Sequence, residues 1–125
     1  MRLLLDTHAL LWWLANDPSL SEPARDAIRA PDTEVSVSAA SAWEIAIKKA
    51  LGKLDAPDNL DAQLERHAFG CLPITVAHAL GAGALPHHHY DPFDRMLIAQ
   101  ARAENLVLVT RDARMALYGI PTLPA

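Results

Sequence analysis

The chain has 125 residues, of which 51% are hydrophobic and 21% are charged. This length and composition fit one compact domain over residues 1–125 and exclude a disordered chain. The formal net charge of -4 excludes a blanket positive surface for nucleic acid, but it is compatible with a nuclease whose acids bind cations.

Strand-like and helix-like segments alternate through the first half of the chain. A short apolar strand covers residues 2–5 and ends at Asp6, and a helix is predicted over residues 7–16. Ser21 and Pro23 favour the start of a second helix. The alternating residues 34–38 predict a strand, residues 39–51 form the strongest helical pattern, and residues 58–69 predict a further amphipathic helix.

The same alternation continues in the second half. Residues 72–74 predict a brief strand, residues 76–82 a helix of small residues, and residues 83–90 a loop. Asp91 and Pro92 favour a helix start, and that helix is predicted to run to residue 104. The continuous apolar run 106–109 is typical of a strand covered on both faces. A short helix over 112–118 and a strand over 120–123 complete the prediction.

Alternating β and α elements of this length predict an α/β fold. Right-handed crossovers between the strands give a central parallel sheet with helices on both faces, which is a three-layer sandwich. We see no internal repeat or linker.

Other classes of protein are excluded by simple features. Cys71 is the only cysteine, so an intrachain disulfide and a thiolate zinc site are ruled out. Asp6 arrives too early for the apolar core of a signal peptide, and the longest strongly apolar run is far short of a membrane span. We therefore expect a cytoplasmic protein that does not contact membranes.

Four acids stand at positions that the predicted fold brings toward one end of the sheet. Asp6 follows the first strand, Asp112 follows the strand at 106–109, Asp94 lies in the first turn of a helix, and Glu44 lies in the helix after the second strand. Ligands of open α/β sheets gather at the carboxyl ends of the strands.

Each acid also has a purely local interpretation. Asp6 could cap the next helix, and Asp94 and Asp112 could be first-turn acids that favour the helix dipole. Glu44 precedes Lys48 by four residues and could form a helical ion pair worth about 0.2–0.5 kcal/mol. The four acids together argue for a role beyond these local ones, because two carboxylates about 5 Å apart repel by roughly 3 kcal/mol at an effective dielectric near 20. Converging acids therefore need protons or cations, and oxygen ligands select hard ions such as Mg²⁺ or Mn²⁺.

Four sequence blocks resemble those of the PIN-domain nucleases, specifically the VapC-like toxins of toxin–antitoxin pairs. The blocks occur in family order and span nearly the whole chain; they are Leu4-Leu5-Asp6-Thr7-His8, Ser41-Ala42-Trp43-Glu44-Ile45-Ala46-Ile47-Lys48, Asp91-Pro92-Phe93-Asp94-Arg95-Met96-Leu97-Ile98-Ala99-Gln100-Ala101 and Leu108-Val109-Thr110-Arg111-Asp112.

The resemblance implies a PIN-like fold and a metal-dependent endoribonuclease that cleaves RNA by metal-activated water. Asp6, Glu44, Asp94 and Asp112 match the catalytic, metal-binding acids, with Mg²⁺ or Mn²⁺ as the cofactor. Thr7 and Thr110 match supporting hydroxyls, and Arg95 would steady the acids or an RNA phosphate, with a surface ion pair as the alternative. The resemblance also implies a small cognate antitoxin that covers the site, and a homodimer.

Three further features have weaker interpretations. The run His87-His88-His89 is expected to be an exposed loop that touches RNA, with a metal site as the alternative. Trp12 and Trp13 lie in a helix that is apolar all round, which favours a partner surface beside the core. Phosphate contacts could come from a set of cations, although most would be solvated: Arg25, Arg29, Lys48, Lys49, Lys53, Arg111 and Arg114.

Two other functions compete with the nuclease. An aspartyl-phosphate phosphatase would need a second acid two positions after its nucleophile, and here Thr7 and His8 follow Asp6. A non-catalytic binding module with the same fold would lack one or more of the acids, and all four are present.

Overall fold

A five-stranded sheet, parallel throughout, forms the middle layer of the molecule, and the computed structural model describes all of residues 1–125. The strands are β1 (Arg2–Leu5), β2 (Glu34–Ser38), β3 (Gly70–Leu72), β4 (Val107–Thr110) and β5 (Thr122–Pro124). The helices are α1 (Thr7–Leu14), α2 (Glu22–Arg29), α3 (Ala39–Ala50), α4 (Leu60–Arg66), α5 (Val76–Ala84) and α6 (Pro92–Glu104), and a 3₁₀ helix covers Ala113–Tyr118.

The strand order places β1 at the centre of the sheet. The order is β3-β2-β1-β4-β5, so the chain moves outward from β1 to β3 and then returns to the other side of β1. A crevice opens at the carboxyl ends of β1 and β4, where the direction of travel changes. Leu5 pairs with Val109, so the residues that follow the two strands leave the sheet at the same level.

Both faces of the sheet are covered, which confirms the predicted three-layer α/β fold. Leu3 and Leu5 of β1 belong to one buried cluster, and Leu4 belongs to the other. The first cluster includes Leu10 of α1, whereas the second includes Leu97 of α6. Alternate residues of one strand thus enter two separate cores, because a parallel strand is buried on both sides.

The predicted helix starts at Ser21 and Asp91 are confirmed by their hydrogen bonds. The Ser21 hydroxyl accepts from the backbone N–H of Ala24 at 3.2 Å, and the Asp91 carboxylate accepts from that of Asp94 at 3.0 Å. Pro92 occupies the first turn of α6, where its missing N–H removes no helical hydrogen bond.

Two predicted strands and one helix differ in position from the structure. Strand β3 lies two residues earlier than predicted because its residues pair with Ser36–Ser38, and Pro73, the next residue, has no N–H to extend the ladder. Helix α4 is shorter than predicted, and Ala68 at φ 57° lies in the left-handed region beyond its end. Strand β5 begins two residues later than predicted and pairs with β4. None of the helices has both the length and the apolar content needed to cross a bilayer.

Candidate active site

An open cavity of about 420 Å³ contains the side chains of all four predicted acids. One lining residue is hydrophobic, and the others are polar or charged. The lining residues are Asp6, Thr7, His8, Trp12, Glu44, Lys48, Asp91, Asp94, Arg111, Asp112 and Arg114. Asp6 follows β1 and Asp112 follows β4 after two residues, so the cavity lies at the carboxyl edge of the sheet.

Asp6 is buried at the junction of β1 and α1. One carboxylate oxygen accepts from the backbone N–H of Ala9 at 2.8 Å, so the side chain also caps α1. Burial raises the pKa of Asp6, and the charge of Glu44 adds to that rise, whereas hydrogen bonds from Ala9 and Thr110 oppose it. The local interpretation of Asp6 as a cap and its place in the cavity are therefore both correct.

Glu44 enters the cavity from α3 and is buried there. The Thr7 hydroxyl donates to Glu44 Oε1 at 2.6 Å, and the Lys48 ammonium donates to Glu44 Oε2 at 2.5 Å. The helical pair with Lys48 thus exists, but it lies inside the cavity instead of on a solvated face. Thr7 fixes the carboxylate from the neighbouring helix.

Asp94 projects from the first turn of α6, and its carboxyl group is strongly perturbed. Burial and the negative charges of Asp91, Asp6 and Glu44 raise the pKa of Asp94 to about 7. The raised pKa thus reflects first the removal of this carboxyl group from water and then the negative charge around it.

Asp112 differs from Asp94 in its surroundings. It caps the 3₁₀ helix, and Arg114 donates to both of its carboxylate oxygens, at 3.1 and 2.8 Å. This guanidinium is the main reason that the pKa of Asp112 falls to about 2. The Thr110 hydroxyl accepts from the backbone N–H of Asp112 at 3.1 Å and donates to the sulfur of Met115 at 3.3 Å. Thr110 therefore holds the backbone of the acid that follows β4.

His89 is not part of an exposed loop, so the expectation for the three histidines is wrong at this residue. His87 and His88 are exposed, but only 3% of the surface of His89 is accessible. Its Nε2 atom lies 2.9 Å from Asp112 Oδ2 and 3.0 Å from Asp94 Oδ2. The ring turns inward because Tyr118 accepts the backbone N–H of His89 and holds this part of the loop against the core.

Arg95 does not contact the acids and forms no surface ion pair, which corrects both expectations for it. Its guanidinium is buried and donates to backbone carbonyls of the last turn of α5, at Ala82, and of the segment that follows, at Leu85 and His89. Charged groups that are removed from water need such partners. Arg95 supports the cavity indirectly, because it fixes the loop that carries His89.

Of the cationic residues predicted to contact phosphate, three line the cavity: Lys48, Arg111 and Arg114. The Arg111 guanidinium lies 4.4 Å from the centre of the Trp12 ring and donates to the carbonyl oxygens of Ser19 and Ala125. Trp12 and Trp13 are both half-buried and pack against the core, so part of each indole stays at the surface.

The cavity also contains groups that sequence reasoning did not assign to it. Asp91 was identified only as a helix cap, yet it lines the cavity next to Asp94. Its position in the same turn as Asp94 could have revealed this. His89 carried no such signal, because a run of three histidines in a loop does not indicate which ring faces inward.

The donor set of the cavity fits a divalent cation. Five carboxylates face three cationic side chains, and two of those cations are already hydrogen-bonded to acids. Carboxylate oxygens are the preferred ligands of Mg²⁺ and Mn²⁺. The raised pKa values of Asp6 and Asp94 show where added positive charge would be most stabilising.

Comparison with known proteins identifies relatives across almost the whole chain. The model of the PIN domain family matches residues 3–120. Ribonuclease VapC22 of Mycobacterium tuberculosis is 33% identical over 121 residues, which cover 94% of this chain and 92% of the relative.

Solved structures share the fold at lower sequence identity. VapBC2 of Rickettsia felis, bound to a promoter DNA fragment, matches with a TM-score of 0.72 at 17% identity over 98% of both chains. VapBC-1 of Haemophilus influenzae matches with a TM-score of 0.69 at 19% identity, over 98% of this chain and 97% of the other. FitAcB of Neisseria gonorrhoeae matches with a TM-score of 0.66 at 18% identity, over 98% and 96%. With the family model covering all but the first two and last five residues, this chain belongs to the PIN-domain family.

Proposed function

We propose that the chain is a metal-dependent endoribonuclease and the toxin of a toxin–antitoxin pair, acting in the cytoplasm. The observation that carries the proposal is the convergence of Asp6, Glu44, Asp94 and Asp112 on one open, polar cavity. The similarity to a VapC ribonuclease supports RNA as the substrate, and the likeness to VapBC structures supports an antitoxin partner.

The proposed metal site consists of acids, which bind the ion, and of threonines, which hold the acids. Asp6, Asp94 and Glu44 are the proposed ligands of Mg²⁺ or Mn²⁺, with Asp112 completing the acidic set. When bound, such an ion makes a nearby water molecule more acidic and offsets charge that develops on a phosphate. Thr7 holds the carboxylate of Glu44, and Thr110 holds the backbone N–H of Asp112.

Substrate binding is assigned to the three cations that line the cavity. Arg111 is fixed against Trp12 and backbone carbonyls, so it can meet a phosphate with little loss of side-chain freedom. Arg114 and Lys48 are each paired with an acid, and an ion bound by those acids would release them toward the RNA backbone. Because the overall charge is -4, contacts with RNA phosphates must come from cations gathered locally, as they are in this cavity.

The test is cleavage of an end-labelled single-stranded RNA with Mg²⁺, with Mn²⁺ and with chelator. Attack by water predicts products that end in 5′-phosphate and 3′-hydroxyl, and predicts no cleavage in chelator. Glu44→Gln should lose most activity, whereas Asp32→Asn, a change of an exposed acid outside the cavity, should retain it. A 2′,3′-cyclic phosphate product or full activity in chelator would contradict the mechanism, and a folded but inactive parent chain would favour the non-catalytic alternative.

The proposed antitoxin acts at the same cavity. The cavity is open to solvent, and its acids would accept hydrogen bonds from cationic side chains of a partner. The bound antitoxin should therefore compete with Mn²⁺ for the cavity. Calorimetric titration of Mn²⁺ into the purified complex should show weaker binding than titration into the free chain, and equal binding would contradict this assignment.

We assign the proposed homodimer to the face of α5 instead of the Trp12 helix. Helix α5 contains no Asp, Glu, Lys or Arg, its one histidine, His78, is buried, and Val76 and Leu80 are 76% and 71% exposed. Ile74 leads directly into this helix, and it shares an apolar pocket with Trp43 and Phe93. A surface with no charges fits a second copy of itself, because charged residues are depleted at the centre of interfaces.

Sedimentation of the parent and of Leu80→Glu tests this face. The parent should be a dimer and the variant a monomer, because a two-fold contact would bring the new charges together. Leu117→Glu changes a similarly exposed leucine on the 3₁₀ helix and should leave the dimer intact. A monomeric parent, or a dimer that resists Leu80→Glu, would overturn the assignment.

A further inference from the structure

The imidazole of His89 connects two acids of the cavity that come from different elements. Its Nε2 atom lies within hydrogen-bond distance of Asp112 at the end of β4 and of Asp94 on α6. Its other nitrogen, Nδ1, lies 3.2 Å from the backbone nitrogen of Asp91. Both ring nitrogens therefore have polar partners, although the ring is buried.

These partners determine which nitrogen carries the proton. The backbone N–H of Asp91 can only donate, so Nδ1 must offer a lone pair. In a neutral imidazole the proton then lies on Nε2, and this N–H points at two carboxylate oxygens, which are acceptors. No lone pair of His89 faces Asp94 or Asp112.

We propose that His89 is a positioning residue that holds Asp94 and Asp112 through an Nε2–H donor, and that it is not a metal ligand. The inference rests on the proposed function. The three side chains have the spacing of a metal site, since their ligand atoms lie within 4.8 Å of one another. An ion on Nε2 would nevertheless have to displace the proton there, and moving that proton to Nδ1 would break the hydrogen bond from Asp91.

Two hydrogen bonds to the backbone of His89 anchor the loop independently of the ring. The Tyr118 hydroxyl accepts the backbone N–H of His89 at 2.8 Å, and Arg95 donates to its carbonyl at 3.1 Å. Neither hydrogen bond uses the imidazole. A substitution of His89 therefore changes the ring's contacts with Asp94, Asp112 and the Asp91 N–H, while both groups of the His89 backbone keep their partners.

Three variants separate a hydrogen-bond donor from a ligand. His89→Gln can place an amide N–H near the former Nε2 position, whereas His89→Ala cannot, and His88→Ala changes an exposed neighbour as the control. Titration of Mn²⁺ into each protein by calorimetry, without RNA, is the first measurement. Loss of the donor should weaken Mn²⁺ binding about tenfold or more in His89→Ala. His89→Gln should recover most of that loss, and a glutamine variant as weak as the alanine variant would overturn the proposal.

Pulsed electron paramagnetic resonance of the Mn²⁺-loaded parent is the second measurement. A directly bound imidazole gives a strong ¹⁴N coupling, and the proposal predicts that this coupling is absent. If it is present in the parent and lost in His89→Ala, then His89 is a ligand and the proposal is wrong.

The third measurement does not depend on metal or RNA. Imidazole ¹⁵N chemical shifts of the metal-free chain at pH 8 should show the proton of His89 on Nε2, and a proton on Nδ1 would overturn the proposal. If the parent neither binds Mn²⁺ nor cleaves RNA, the proposed function fails, while the ¹⁵N result still decides the hydrogen-bonding role of His89.

Discussion

The backbone N–H of Asp6 donates to the carbonyl oxygen of Val109 at 3.1 Å, so the ladder between β1 and β4 continues to the first acid of the cavity. The Asp6 carboxylate then accepts from Ala9 at the start of α1. Its backbone and one of its side-chain oxygens are therefore held by the sheet and a helix. The central strands therefore fix the position of Asp6 in the cavity. A fixed position favours a site that must bind an ion in a set geometry.

Replacing Asp94 with asparagine should stabilise the metal-free chain at pH 8. The pKa of Asp94 rises from 3.8 to about 7 in the folded state, so between those values the folded chain binds the extra proton. Its free energy of unfolding therefore falls as pH rises from about 4 to about 7. Asp94→Asn removes this loss and should gain on the order of 1–4 kcal/mol above pH 7.

Urea unfolding in chelator at pH 5 and pH 8 measures this effect. The advantage of Asp94→Asn should be smaller at pH 5, because the parent then keeps much of its proton. Asp32→Asn is the control, since Asp32 is exposed and outside the cavity. Equal pH dependence of the parent and Asp94→Asn would show that Asp94 is not the group responsible.

Lys48→Met should have opposite effects on stability and on metal binding. The Lys48 ammonium neutralises the buried Glu44, so its removal leaves an unpaired charge and should lower the free energy of unfolding without metal. The same change frees Glu44 and should tighten Mn²⁺ binding. Lys49→Met provides a neighbouring control, because Lys49 pairs with the exposed Asp58. Calorimetry and chelator-treated unfolding decide the case, and weaker Mn²⁺ binding by Lys48→Met would refute this account of the pair.

Arg95→Ala should destabilise the chain by about 2–4 kcal/mol, because it leaves several buried carbonyl oxygens without donors. Arg29→Ala removes an exposed guanidinium whose nearest acid lies 4.0 Å away, and it should change stability by less than about 0.5 kcal/mol. Denaturant unfolding compares the two. If both variants changed the free energy of unfolding by the same small amount, the conformation of the loop between α5 and α6 would not depend on Arg95.

The positions of the four acids could be predicted because they depend on features that a sequence shows directly. Asp6 and Asp112 follow apolar strands, Asp94 follows a proline at a helix start, and Glu44 lies on the strongest helix. Parallel strands place their carboxyl ends at one edge, so these local patterns suffice to bring the acids together.

The roles of His89 and Arg95 could not be predicted, because they depend on tertiary contacts of a loop. The inward turn of His89 depends on Tyr118, which lies 29 residues away in the chain. Arg95 resembles an exposed helical arginine in sequence, and its burial follows from the carbonyls that the preceding loop brings to it. The edge strand β3 was misplaced for a related reason, since its register comes from pairing with β2.

The most direct test of the four-acid metal site is a paired measurement on the parent and Asp6→Asn. Asparagine keeps the shape of the side chain and can still cap α1, but it removes a charge from a buried, acid-rich position. In chelator, Asp6→Asn should unfold at the same temperature as the parent or higher, by on the order of 1 kcal/mol in stability. With Mg²⁺ or Mn²⁺ present, its RNA cleavage should fall by two orders of magnitude or more. Normal cleavage by Asp6→Asn, or full cleavage by the parent in chelator, would contradict the account.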